Sequence, residues 1–473
     1  MTGQNIKESS LLNAKGDSNV IIIAGIISLS SCIVSVLLPS IPLKLSLLIL
    51  AIAIIMMLRV HILQIILAAA LSHAIAPDPY RQLADIIFGV GITLALFWII
   101  IRLSLGKERL QHSFSSDFLI ACNLLFALVG VLSTALNSMF GPVAVAEIGK
   151  IAIYIILILI SYHLIDDISI VRKLMWTFIW IGIVLVTYYY YLAITLGPKA
   201  ILVYGFTFLH SMSGVLGNPG APAAVIADFI PFLIAFILFG ANGNKKKVFF
   251  IAFLYVIIIW AMSNSRANYI FLYFACLTLL AFHRRRKKYL TVFILLSISA
   301  FLIITSIPLF QFILRLDKGM TYREDFWKAA FRMIAESPLS GKGYGFFYKF
   351  KYSYMDPGVG RAMLGTSPDV SVHNMLLMRG IDLGICGILI QLLYWIFPIV
   401  IFVKNEKGIR QSEYYYLYMA IAAILVGMIA RGFFDTGTNM PSPILLAALL
   451  KFPKLIQPSA AGIKRIDKES KID

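Results

Sequence analysis

The sequence predicts an all-α polytopic membrane protein, and three observations predict it. Of 473 residues, 60% are hydrophobic and only 14% are charged, whereas a soluble domain is about half apolar and about a quarter charged. Apolar runs of helix length recur along the chain with almost no charge inside them, as spanning helices require. Lys and Arg also divide unevenly between alternate connections, which is how a spanning chain marks its cytoplasmic side.

About fourteen spans are expected, at 20–38, 41–58, 60–76, 84–104, 115–137, 142–165, 169–196, 222–240, 247–262, 266–283, 288–306, 376–402, 412–431 and 441–457. The third and last are the weakest, so the range is 12 to 14. With the N-terminus inside, cytoplasmic segments hold 25 Lys and Arg and short external connections hold 6, among them Lys150, Arg266 and Arg431. Both termini are therefore expected in the cytoplasm. The polar stretch before the first span carries no cleavable signal pattern. The net charge of +18 reads as topology signal and contact with anionic lipid head groups, so nucleic acid is not an expected partner. Cys32, Cys122, Cys276 and Cys386 fall in apolar runs and read as small buried hydrophobes.

The expected partition is a single membrane domain over 1–473 with one external loop over 307–375. The segment 307–380 carries the remaining ten Lys and Arg and cannot lie in hydrocarbon. Within it TYREDFW (Thr321 to Trp327) precedes an expected amphipathic helix, with Phe326, Ala330, Phe331 and Ile334 on one face and Glu336-Ser337-Pro338 at its end. GKGYG (Gly341 to Gly345) lacks the strand and the GK[ST] of a phosphate loop, and is expected to form a tight turn. His373 and Asn374 stand just before the next span. Asp382 follows nine residues after His373, and Gly384 with Gly387 is expected to let that helix pack closely. A neutral imidazole at the outer membrane face suits a general base acting on a hydroxyl. Arg266 opens a span at its outer end. Such an Arg is most often a snorkelling anchor, but Asn264 and Ser265 beside it add donors that suit a phosphate. Intramembrane acids are few, chiefly Glu147 and Asp228. No metal-ligand spacing, DxD pair, GxSxG or Walker element is present.

Three stretches resemble the O-antigen ligase and polymerase superfamily of bacterial membrane glycosyltransferases. They are NSRANYIFL (Asn264 to Leu272), the block from Arg323 through Trp327 to SPLSGKGYGFF (Ser337 to Phe347), and HN…G…G from His373 to Gly387. The likeness covers roughly Leu209 to Gly387. It implies a lipid-sugar glycosyltransferase (GT-C-like) fold, an undecaprenyl-diphosphate-linked glycan donor, and neither metal nor other cofactor. It implies that Arg266 binds the donor diphosphate, with Arg323 supporting it or the loop. His373 would activate the acceptor hydroxyl, with Ser265, Asn374 and Asp382 in support. Where the family often has an Arg before an Asn/Asp-Pro-Asn element, this chain has LHSMSGVLGNPGAP (Leu209 to Pro222). The missing contact before Asn218-Pro219 leaves His210, Arg361 and Arg379 as candidates.

The resemblance points to polymerisation of lipid-linked repeat units on the outer face of the bacterial cytoplasmic membrane. The HN element lacks the second preceding His associated with ligases. Two alternatives stay open at this point. One is ligation of the finished glycan to lipid A-core or another acceptor. The other is a transporter or flippase of lipid-linked sugars, which would need functional charges deep within spans. Expected partners are the lipid-linked donor, a glycan or lipid A-core acceptor, membrane lipids and a chain-length regulator.

Overall fold

The computed structural model describes residues 61–75, 78–105, 113–203, 220–240, 243–261, 265–306, 323–359, 371–435 and 441–456. Among them every regular element is helical. In chain order these are α1 (Ile62–Ile75), α2 (Asp78–Ser104), α3 (Phe114–Leu136), α4 (Pro142–Leu164), α5 (Ile168–Val203), α6 (Gly220–Phe239), α7 (Gly243–Ala261), α8 (Arg266–Ala281) and α9 (Arg286–Ser306). There follow α10 (Arg323–Glu336), α11 (Phe346–Phe350), a 3₁₀ turn (Lys351–Tyr354), α12 (Met375–Ile409), α13 (Tyr415–Gly432) and α14 (Ser442–Ile456). The first two expected spans lie outside the described residues. Each of the others coincides with a helix, although α2 starts six residues earlier than expected and α5 and α12 run seven residues further. By length and composition α3, α4, α12, α13 and the Ile168–Thr187 part of α5 could each cross a bilayer, and shorter apolar helices accompany them. The chain is an all-α polytopic membrane protein.

The helices start where local chemistry lets them. Ser113 caps α3 in a box with Ser116, each side chain bonding the other's backbone amide. Pro142 opens α4, where its missing N–H costs nothing. The Asn374 side chain accepts from the Leu377 amide and caps α12.

Two compact units are present. The first comprises 1–98, 169–229 and 255–263. Within it Gln64 Nε2 donates to Thr177 Oγ1 at 3.0 Å, and Tyr190 stacks on Tyr255. The second comprises 99–168, 230–254 and 264–473 and holds the described candidate residues. In it α8 packs along α13, α3 lies against α4 and α12, and α14 touches α4, α12 and α13. The α8–α13 pair is close because a Cβ on Gly427 would sit 2.8 Å from Phe271.

The described part of the polar loop folds with the start of α12 and shares its core. Phe326, Ala329, Ala330 and Met333 of α10 pack with Phe347, Met355, Val372, Leu377 and Ile381. Phe331, expected on that face, is instead 59% exposed. Its place is taken by Ala329 and Met333, because the true apolar stripe runs one position off the one expected. Arg332 clips α10 to the 3₁₀ turn through the Tyr354 carbonyl and Asp356. Burial is also not uniform among the cysteines. Cys122 is buried, but Cys386 is exposed, because it lies on an outward row of α12.

The GKGYG stretch does form a turn, with Gly341, Gly343 and Gly345 all at positive φ. What it docks on differs from expectation. Gly384 does not mediate close packing of a continuous helix. It breaks α12, at φ 68° and ψ −159°, a region that essentially only Gly enters. The break frees the last carbonyls of the first half-helix. Lys342 N donates to Ile381 O at 2.7 Å and Gly343 N to Asp382 O at 3.0 Å. On the far side Ile385 N donates to Pro338 O at 2.7 Å. A Cβ on Gly384 would lie 2.5 Å from the Leu339 carbonyl oxygen, so the glycine is required twice over.

Candidate active site

His373 sits between the loop and α12 with φ 51°, a left-handed conformation that costs a non-glycine residue roughly 1 kcal/mol or more. Neighbours hold it there. Trp327 Nε1 donates to the carbonyl of Val372 at 3.0 Å, and Val372 is fully buried. Asn374 Nδ2 donates to Phe433 O at 3.1 Å, which ties the start of α12 to the end of α13. The imidazole Nδ1 faces Asp435 Oδ1 at 3.8 Å, beyond hydrogen-bond length.

Asp435 links His373 to the arginines. Arg323, the first residue of α10, feels both Asp435 and Arg266 electrostatically. Burial lowers its pKa most, Asp435 opposes that, and the like charge of Arg266 lowers it further. Two guanidiniums held near one another beside one carboxylate are suited to a di-anion. Arg266 opens α8. Ser265 precedes it at the helix cap, and its hydroxyl accepts from Asn268 Nδ2 at 2.9 Å instead of capping. Asn268 Oδ1 in turn accepts from Arg431 Nη1 at 3.0 Å. Arg431 is 3% exposed and stands 4.8 Å over the Phe271 ring, so its charge is held by an amide and an aromatic face. The Ser-Arg stretch and the end of α13 are thus one hydrogen-bonded unit.

Behind this rim a cleft encloses about 1000 Å³ of empty space, part of it open. Arg379, Arg431, Asp435, Glu147, Lys150 and Tyr154 are among its lining. Arg379 lies 5.0 Å over Phe126, and Lys150 pairs with Glu147 at 2.6 Å. Its floor is apolar, from Ile151, Leu425, Met428 and Leu446.

Of the expected site residues, His373, Asn374, Ser265, Arg266 and Arg323 come together. Arg379 lies further in, on the cleft wall. Asp382 does not join the rim: it is buried, and its carbonyl receives Ser133 Oγ at 2.8 Å and the Gly343 amide. Its part is to seat the glycine turn. His210, Arg361, Asn264 and Asn218-Pro219 lie outside the described residues. Sequence reasoning missed Asp435, Arg431 and Asn268. A signal for one of them was present, since Arg431 is one of the few cations on the depleted side of the charge asymmetry.

A search among curated proteins finds no match. Residues 251–392 match the family model described as O-antigen ligase, a stretch that runs from α7 through the glycine turn and His373 to the middle of α12. On that match, the region that holds Arg266, Arg323 and His373 is an O-antigen ligase-type membrane enzyme domain, and it supports placing the chain in the O-antigen ligase and polymerase superfamily.

Proposed function

We propose that the protein polymerises lipid-diphosphate-linked oligosaccharide repeat units on the outer face of a bacterial cytoplasmic membrane. The observation that carries this reading is the run His373, Asp435, Arg323, Arg266: a base with its carboxylate, next to two guanidiniums. Asp435 faces Nδ1, which leaves Nε2 to take the proton of an acceptor hydroxyl. The acceptor oxygen bonds the anomeric carbon as the bond from that carbon to the diphosphate oxygen breaks. The charge left on the diphosphate falls between Arg266 and Arg323. The carboxylate stabilises the imidazolium until it passes its proton on. Bringing donor and acceptor together supplies much of the rest. The loop lies on the polar side, where a bulky glycan has room, and the apolar cleft floor suits a lipid chain.

His373→Ala should lower glycan extension by about 10²- to 10⁴-fold, the usual worth of a general base. The assay is a membrane preparation given lipid-linked repeat units, and expression should stay normal. Arg266→Ala should abolish extension as well. Near-wild-type turnover in His373→Ala would remove the base assignment. Ligation to a separate acceptor is the second reading, favoured by the description of the matching family model.

A further inference from the structure

We propose that the tip of the polar loop is a membrane collar, with Leu339 set against lipid acyl chains and the hydrocarbon edge crossing α12 at Gly384. The inference rests on the chain being membrane-spanning and not on the glycan chemistry.

The exposure pattern of α12 changes at one residue. From Met375 to Gly384 no side chain is exposed. Beyond it Ile385, Leu389, Leu393, Ile396, Val400 and Val403 are all exposed. Their spacing of three and four residues makes one continuous apolar row along the helix. At ~1.5 Å per residue the row spans about 28 Å, close to the ~30 Å of a hydrocarbon core, and Lys404 follows it. All of α12, 35 residues, would run to about 52 Å and overshoot. The lipid-facing span therefore begins at the break, and the first half of the helix belongs to the head.

The loop tip lies at that level. The Leu339 carbonyl abuts Gly384, and Pro338 O receives the Ile385 amide. Leu339 is nevertheless 74% exposed, as an outward apolar side chain at a lipid edge would be. Leu136 at the end of α3 and Phe140 just past it are exposed too, and Asn137 between them donates to the Gly341 carbonyl. Exposed apolar side chains thus flank the loop tip from both α3 and α12.

The backbone of this turn is built for such a place. Irregular chain at membrane depth must have its polar groups satisfied by protein. The amides of Gly341, Lys342, Gly343 and Tyr344 donate to Ser337 O, Ile381 O, Asp382 O and Thr134 Oγ1 respectively. The Lys342 side chain turns back to Glu336 at 2.8 Å, as a snorkelling lysine does. His373 then stands roughly 15 Å outside the hydrocarbon, about ten residues of helix rise away.

The test uses full-length protein in phosphatidylcholine nanodiscs, with the native cysteines replaced by alanine. A spin label at Leu339→Cys should favour oxygen over a nickel chelate as collision partner, as a label at Leu393→Cys does. A label at Ser353→Cys should show the reverse. In unmodified protein, a lipid with a photoreactive acyl chain should crosslink to the peptide holding Leu339. An aqueous reading at Leu339→Cys, or crosslinks confined to Leu389–Val403, overturns the proposal.

Discussion

At the scale of single residues, the two most demanding positions are Gly384 and His373, both in left-handed backbone. Gly384 has a steric and a conformational reason to be glycine. Gly384→Ala should lose about 2 kcal/mol or more from the backbone region alone, before the clash with Leu339 is counted. Thermal unfolding in detergent should register it as a lower midpoint or a loss of folded material. Gly358 is the control, since nothing lies within 4 Å of its Cβ position and its φ is not positive. Gly358→Ala should leave the midpoint unchanged. The glycines of GKGYG were legible in the sequence as a turn, because positive φ is a local property. That the turn would enter a break in a helix forty residues on was not, because it depends on through-space contact.

At the scale of elements, α8 and α13 act as one piece through Ser265, Asn268 and Arg431. Asn268→Ala removes the acceptor from a buried guanidinium, a change that costs about 1–3 kcal/mol. It also frees Ser265 beside Arg266. The expected result is a lower thermal midpoint together with a raised KM for the lipid-linked donor, read in the extension assay. The loop element has its own exposed clip. Lys342 and Tyr354 bond Glu336 and hold its carboxyl below the ordinary value of 4.5. A lowered folded-state pKa contributes stability above about pH 4.5 that is lost as pH falls through the folded value. Protease cleavage between Phe346 and Tyr354 should therefore speed up below that pH in the wild type. In Glu336→Gln it should already be faster at pH 7, with little further rise on acidification. The pair is exposed, so the effect is small, within about 1 kcal/mol.

At the scale of the whole molecule, charge placement is the most informative single feature. The connections expected outside hold few cations, and Lys150, Arg266 and Arg431 are three of them. Lys150 and Arg431 line the cleft, and Arg266 stands at its rim beside Arg323. Cations kept on the side that topology disfavours are kept for another purpose. If guanidinium charge holds the leaving diphosphate, extension should survive EDTA. A strict divalent-metal requirement would replace this mechanism. In a deletion strain, surface glycan reduced to single capped repeats would mark a lost polymerase. Accumulated long lipid-linked chains would mark a lost ligase and decide for the second reading.

Hydropathy and charge are written along the chain, so the sequence by itself determined the helix series, the polar loop, and Arg266 and His373 as residues out of keeping with their surroundings. Asp435 and Asn268 carry no such mark, and the charge at Arg431 does not name its partner. They matter because α8, α13 and the loop converge, and only the tertiary structure decided that. The physical reason is range: whether a segment prefers hydrocarbon is settled by its own side chains, whereas whether a guanidinium and an amide 163 residues apart can share a hydrogen bond, as Arg431 and Asn268 do, is settled by how helices pack.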